Sequence, residues 1–249
     1  MQKTGYAALA LLVLIAAVTP GCTGVPGLEE TEEFNRTVTV EPASGVVVIN
    51  RNGGVNVNAW NEEHVAITAV KRTTYGRGEF EKVRIEVTEG DPLRIETVHT
   101  GVNPRVGVDY TIQLPPTVVL QRVESSNGPI DLSGVRGNGT ELRASNGPVL
   151  VDGAPGGDLA AASSNGRVEM RGVEGYVTAT TSNGAVTLRL AEDLDARVVA
   201  TTSNGRIAVN DLPLLLSESS GTSVSGTLGD GGPTITVTTS NGNIDLSGL

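Results

Sequence analysis

The chain has little of what a thick globular core is built from: its 249 residues include one Trp, two Phe and four Tyr. That scarcity argues against a centre filled by large rings and for a slim body packed with Val, Ile, Leu and Ala. A single cysteine, Cys22, excludes an intrachain disulfide, so apolar burial must hold the fold. The formal charge is −10 and no run of Lys and Arg occurs, which argues against nucleic acid as a partner. No stretch sustains the apolar periodicity of a helix. Only two histidines, His64 and His99, are present, and neither belongs to a recognisable zinc-ligand set. Nucleophile-elbow, phosphate-loop and dinucleotide-binding motifs are missing too. We therefore expect no metal, no cofactor and no catalysis.

The longest apolar run, Ala7 to Val18, follows Lys3 and counts twelve residues. A helix of that length cannot span a bilayer core of roughly 30 Å, so residues 1–21 read as a signal peptide. Thr19-Pro20-Gly21-Cys22 resembles a lipobox: Gly21 supplies the small residue before the cut, while Thr19 and Pro20 depart from the usual pattern. Cys22 is the expected lipid-attachment site, joining the protein to a membrane. The alternative is a secreted protein cut nearby. Residues 22–33 then read as the lipid-bearing cysteine and an acidic tether. The address is export, with anchoring at the cell surface or in the periplasm.

From Phe34 onward the pattern is that of strands, as in Thr37-Val38-Thr39-Val40 and Val83-Arg84-Ile85-Glu86-Val87. Turn signals at Asp91-Pro92, Asn103-Pro104 and Pro115-Pro116 punctuate residues 34–116. Residues 117–249 carry a repeat. The tripeptide Ser-Asn-Gly recurs with its asparagines at Asn127, Asn146, Asn165, Asn183, Asn204 and Asn241, spaced 19, 19, 18, 21 and 37 apart. Ser219-Ser220-Gly221 reads as a degenerate copy filling the widest gap. Arg51-Asn52-Gly53 reads as an early copy, followed by an insertion at about residues 61–115.

Each copy keeps the same apolar register. Ile130, Val149, Val168, Val186, Ile207 and Ile244 stand three residues after the asparagine; Leu132, Val151, Met170, Leu188, Val209 and Leu246 stand five after. Val135, Ala154, Val173, Leu212 and Leu249 stand eight after. A shared inward phase at a period near 20 predicts an all-β chain folded as a parallel β-solenoid, in preference to a hairpin meander. Asn-Gly is expected to turn each corner through positive φ. The side chains of Asn52, Asn127, Asn146, Asn165, Asn183, Asn204 and Asn241 are expected to stack as a turn ladder. The last copy runs to Leu249 without an evident cap, so end-to-end self-association is expected.

An early Asn-Gly-Gly-Val-Asn-Val with Trp60, then Leu114-Pro115-Pro116, then serial Ser-Asn-Gly turns, resembles a proposed-adhesin domain of unknown function over roughly residues 34–249. The resemblance implies a β-helical ectodomain at the surface of a bacterial or archaeal cell and carries over no catalytic residue. Glycans or envelope proteins are the expected partners, bound through rows of Thr, Ser, Asn and Arg such as Thr178, Thr180, Thr187 and Arg189. Two other readings stay open: a structural or sensing protein that binds an envelope component, and a carbohydrate-active enzyme. For the enzyme, only Asp131 and Asp245 share a repeat position, and Asp152 does not. Asn35-Arg36-Thr37 and Asn138-Gly139-Thr140 are candidate glycosylation sequons at Asn35 and Asn138.

Overall fold

The computed structural model describes residues 28–136, 138–154 and 156–249. Cys22 and the expected signal peptide lie outside them. Short alternating segments separated by Gly, Pro and Asn make strands throughout. They begin with β1 (Glu30–Val38), β2 (Gly45–Asn52), β3 (Val55–Ala59), β4 (Val65–Thr73), β5 (Val83–Thr88), β6 (Leu93–His99) and β7 (Gly107–Leu114). There follow β8 (Val119–Asn127), β9 (Ile130–Ser133), β10 (Thr140–Ala144), β11 (Val149–Ala154), β12 (Leu159–Ser163), β13 (Val168–Val173) and β14 (Val177–Thr181). The last are β15 (Val186–Leu190), β16 (Ala196–Asn204), β17 (Ile207–Asn210), β18 (Leu215–Ser219), β19 (Ser223–Leu228), β20 (Thr234–Asn241) and β21 (Ile244–Gly248).

Two long open sheets result. Sheet A runs β1-β4-β7-β3-β9-β11-β13-β15-β21-β17, and sheet B runs β18-β19-β16-β20-β14-β12-β10-β8-β2-β6-β5. Each Ser-Asn-Gly corner carries the chain from a strand of sheet B into one of sheet A. Successive coils lie parallel and in register, with Val149 opposite both Ile130 and Val168, and Leu142 opposite both Val123 and Ala161. The fold is all-β and solenoid-like.

Alternation explains the core. Ile130, Val149, Val168, Val186 and Ile244, with Leu132, Val151, Met170, Leu188 and Leu246, all point between the sheets and are buried. Ile207 and Val209, at the same offsets on the edge strand β17, are only half-buried because no further coil covers them. Leu249, expected inside, is 53% exposed.

The corner glycines work differently from expectation. Among the corners only Gly53 has φ in the left-handed region, at 117°. Gly128, Gly147, Gly166, Gly184, Gly205 and Gly242 are needed for room instead. A Cβ on Gly147 would sit 2.0 Å from the carbonyl oxygen of Gly128, and one on Gly166 would sit 2.1 Å from that of Gly147. Backbone presses on backbone at every corner, so a side chain there would force coils apart.

The order of coils departs from chain order at both ends. β21 lies between β15 and β17, and β20 between β14 and β16, so the last repeat is threaded into the stack. Ser219-Ser220-Gly221 forms no coil. It closes the antiparallel hairpin β18–β19, where the Ser223 amide donates to Ser220 Oγ at 2.9 Å. With no Asn to join a ladder and open space around the Cβ position of Gly221, that segment takes no place in the stack of corners. The hairpin pairs antiparallel with β16, so the copy that reaches Leu249 is not the end of the stack: sheet B ends on β18 and sheet A on β17.

At the other end, residues 61–115 supply more than an insertion. β6 and β7 pair parallel with β2 and β3 and form a further coil outside them. Antiparallel β5 then covers β6, while β4 covers β7 and is covered in turn by β1. Glu30–Glu33, expected in the tether, belong to β1 and pair with Val70–Thr73.

Candidate binding surface

One edge of the stack is fastened by side chains. Asn127 Nδ2 donates to Asn52 Oδ1 at 2.8 Å, Asn146 to Asn127 at 2.9 Å, Asn165 to Asn146 at 2.9 Å and Asn183 to Asn165 at 3.0 Å. Asn241 then donates to Asn183 and Asn204 to Asn241, both at 2.9 Å. All seven asparagines lie in one ladder, in coil order rather than chain order.

A second, inner ladder runs beside it. The residue before each tripeptide is Ser or Thr in five copies, and its buried hydroxyl donates to a corner-glycine carbonyl of the preceding coil in the stack. Ser125 reaches Gly53, Ser163 reaches Gly147, Thr181 reaches Gly166, Thr239 reaches Gly184 and Thr202 reaches Gly242, at 2.8 to 3.1 Å. The sequence reading missed these hydroxyls, although Ser or Thr recurring one place before the tripeptide was a visible signal. Two ladders make the corner edge rigid, so the outer sheet faces act as fixed lattices.

The outer face of sheet B has two halves. Toward β5 it is charged: Arg94 pairs with Glu96 at 2.9 Å, Arg122 with Glu124, and Arg143 with Glu141. Toward β19 its side chains are mostly small and neutral, with Arg197 on β16 and Glu218 on β18 as charged members. Ala160, Thr178, Thr236, Val199 and Ser225 stand in one in-register row, and Ala162, Thr180, Thr238, Thr201 and Ser223 in the next. β-Branched side chains on a pleated surface are stiff, so the hydroxyls and methyls recur at the strand spacing of about 4.8 Å.

Where the halves meet, a trough of about 700 Å³ opens, lined by the in-register row Arg94, Val47, Arg122, Glu141 and Ala160 together with Ile49, Asp158 and Tyr176. A smaller cavity of about 360 Å³ on sheet A is lined by Asn56, Asn58, Asp131, Asp152, Glu169 and Arg171. Burial raises the pKa of Asp131 above the ordinary carboxylate value, with Arg167 partly opposing it. Asp131 and Asp245 are not partners. Their row runs Asp131, Leu150, Glu169, Thr187, Asp245, which is about 19 Å at the usual strand spacing. Two carboxylates acting on one glycosidic bond stand within about 10 Å.

The remaining candidates are scattered. His64 sits edge-on to Trp60, ring centroids 4.7 Å apart, and accepts the indole N–H on its carbonyl at 2.9 Å. His99 ends β6, where burial first and the Arg51 charge second lower its pKa. Among the described residues no group of three His, Cys, Asp or Glu converges as a metal site, and no helix is long and apolar enough to cross a membrane. Asn35 is exposed on β1, its amide donating to Glu33 at 2.8 Å and accepting from Thr68 at 2.9 Å. Asn138 is exposed before β10, but the hydroxyl of its sequon partner Thr140 is buried and donates to Leu120 O at 2.7 Å.

The family model described as Toastrack DUF4097 matches residues 37–247. Solved structures of similar shape include a proposed cell-adhesion protein from Clostridium sporogenes, 12% identical, with a TM-score of 0.46 over 88% of this chain and 100% of that one. A proposed adhesin from Bacteroides fragilis is 12% identical, TM-score 0.37, over 88% of this chain and 97% of its own. A proposed lipid-binding protein from Parabacteroides distasonis is 11% identical, TM-score 0.37, over 86% and 96%. No curated protein matches the chain.

Proposed function

The chain belongs to the Toastrack DUF4097 family, and from that footing we propose a non-catalytic, exported, lipid-anchored module that binds glycans or envelope proteins through multivalent contacts. Cys22 carries the anchor, and residues 22–29 supply the reach from the membrane to β1. The single observation behind the reading is a pair of neutral, small-residue rows on sheet B, in register from Ala160 to Ser225 and from Ala162 to Ser223. Repeated small hydroxyls on a rigid lattice suit a repeating, neutral, hydroxyl-rich partner. Each contact is modest, and effective concentration multiplies them.

A protein partner within the envelope is the second reading, and one observation favours it. The edge strand β18 presents Leu215 and Leu216, 77% and 48% exposed, beside an unpaired backbone edge. An extended segment of another protein could add there as a strand.

Binding of the detergent-solubilised full chain to intact cells and to isolated envelope polymers, across a concentration series, tests the proposal. Saturable binding competed by one polysaccharide supports it. A folded sample that binds no polymer at high micromolar concentration overturns it in favour of the protein partner.

A further inference from the structure

We propose that the trough on the outer face of sheet B is a subsite for a neutral sugar chain, with Tyr176 as its stacking platform. This deepens the reading above and rests on it.

Tyr176 is 61% exposed, yet its backbone is held firmly. Gly175 before it has φ of 87°, and a Cβ there would meet Gly157 O at 2.2 Å, so the turn sits directly against the preceding coil. The Tyr176 carbonyl accepts from Leu159 N at 2.9 Å. The next loop is tied in the same way, with Gly139 N and Thr140 N donating to Asp158 O at 2.9 and 3.0 Å. Loops from three neighbouring coils thus line one side of the trough. An exposed ring on a fixed backbone loses little freedom on binding, which is what an aromatic anchor needs.

The charges choose the ligand class. The trough is lined by Arg94 and Arg122 against Glu141 and Asp158, which sum to zero. An acidic sugar or a lipid phosphate would meet two carboxylates beside its two guanidiniums. A neutral polyol suits both: its hydroxyls donate to the carboxylates and accept from the guanidiniums. Arg122 Nε is itself shielded and faces Glu141 Oε2 at 3.6 Å, but the Arg122 side chain as a whole is 41% exposed and open to a hydroxyl. Val47 and Ile49 on one side and Ala160 on the other add apolar patches to either side of the Arg122–Glu141 pair, and the volume of about 700 Å³ falls among ordinary ligand sites.

The test labels the lipid-anchored chain with 3-fluorotyrosine, which gives three fluorine signals, from Tyr75, Tyr110 and Tyr176, once residues 1–21 are cut away. Tyr176→Phe assigns the one of interest. Titrants are neutral oligosaccharides of mannose, glucose and galactose, a uronate oligosaccharide, and vesicles of phosphatidylglycerol. A saturable shift of the Tyr176 signal with a neutral oligosaccharide is the expected result. Tyr176→Ala and Glu141→Gln should each weaken that binding about tenfold or more, while Arg189→Ala on sheet A should leave it unchanged. The proposal is overturned if no neutral sugar moves the signal, if uronate or vesicles bind more tightly, or if Tyr176→Ala binds like the parent. Should Tyr176→Ala keep full saturable binding to envelope polymers, the subsite is wrong and the broader reading stands. Should the parent bind no envelope polymer, both fail.

Discussion

Replacing Gly166 by Ala adds one methyl group and should cost more stability than its size suggests. The new Cβ would lie 2.1 Å from Gly147 O, 2.5 Å from Gly147 C and 2.9 Å from Pro148 N, all backbone atoms. A carbon meets a carbonyl oxygen comfortably at about 3.3 Å or more, so the coils must separate locally by about 1 Å. The bonds closest to the strain are Asn165 N to Ser145 O at 2.9 Å and Thr181 Oγ1 to Gly166 O at 2.8 Å. Losing two such bonds at about 1 kcal/mol each, with an overpacking cost of about 1–3 kcal/mol, outweighs the gain of about 0.4–1 kcal/mol from a stiffer unfolded chain. The net is about 3 kcal/mol, or roughly 6–12 °C in Tm for a chain of this size. Gly221→Ala is the matched control, because nothing stands within 4 Å of its Cβ position; it should leave Tm unchanged or slightly higher. Thermal unfolding followed by circular dichroism on both variants decides. A Gly166→Ala protein melting within a degree or so of the parent, or a Gly221→Ala protein equally damaged, would refute the reasoning.

Asn165→Ala removes one donated and one accepted ladder bond and should cost about 1–2 kcal/mol, whereas Asn204→Ala, at the ladder's end with one such bond, should cost about half that in chemical denaturation. Burial pushes the Tyr110 hydroxyl up to about 12, against its bond to Thr97. Its folded pKa is the higher one, so the unfolded chain holds fewer protons above pH 10 and stability should decline between pH 10 and about 12. Tyr110→Phe should remove that decline from a Tm-versus-pH series. Asp131 also has a raised folded pKa, because burial disfavours its charge. Asp131→Asn should therefore be more stable than the parent at neutral pH, with the difference vanishing below pH 3.8, the ordinary carboxyl value, in a denaturation series over pH.

The architecture was legible because a solenoid writes its core into one repeated offset. Val149, Val168 and Val186 share both a place after the asparagine and a place between the sheets. The spacing of coils in space was not legible. Nothing local to Ile244 says that it pairs with both Val186 and Ile207, since the threading of β20–β21 is decided by which coil finds a free neighbour on both sides. Gly166 was visible as a turn residue, but its reason lay in another coil, in the carbonyl of Gly147. Tyr176 carried no motif at all. Its importance comes from the trough that forms only when β6, β2, β8, β10 and β12 align beside it.

The measurement that bears most directly on the account is envelope-polymer binding by a face-specific pair of double variants of the full chain. Thr180→Arg with Thr238→Arg places two charges on neighbouring in-register positions of sheet B, and Arg171→Glu with Arg189→Glu alters sheet A at matched positions. We predict that the first loses about tenfold or more in affinity at unchanged Tm while the second binds like the parent. Undiminished binding by the first, with loss confined to the second, would contradict sheet B as the contact face.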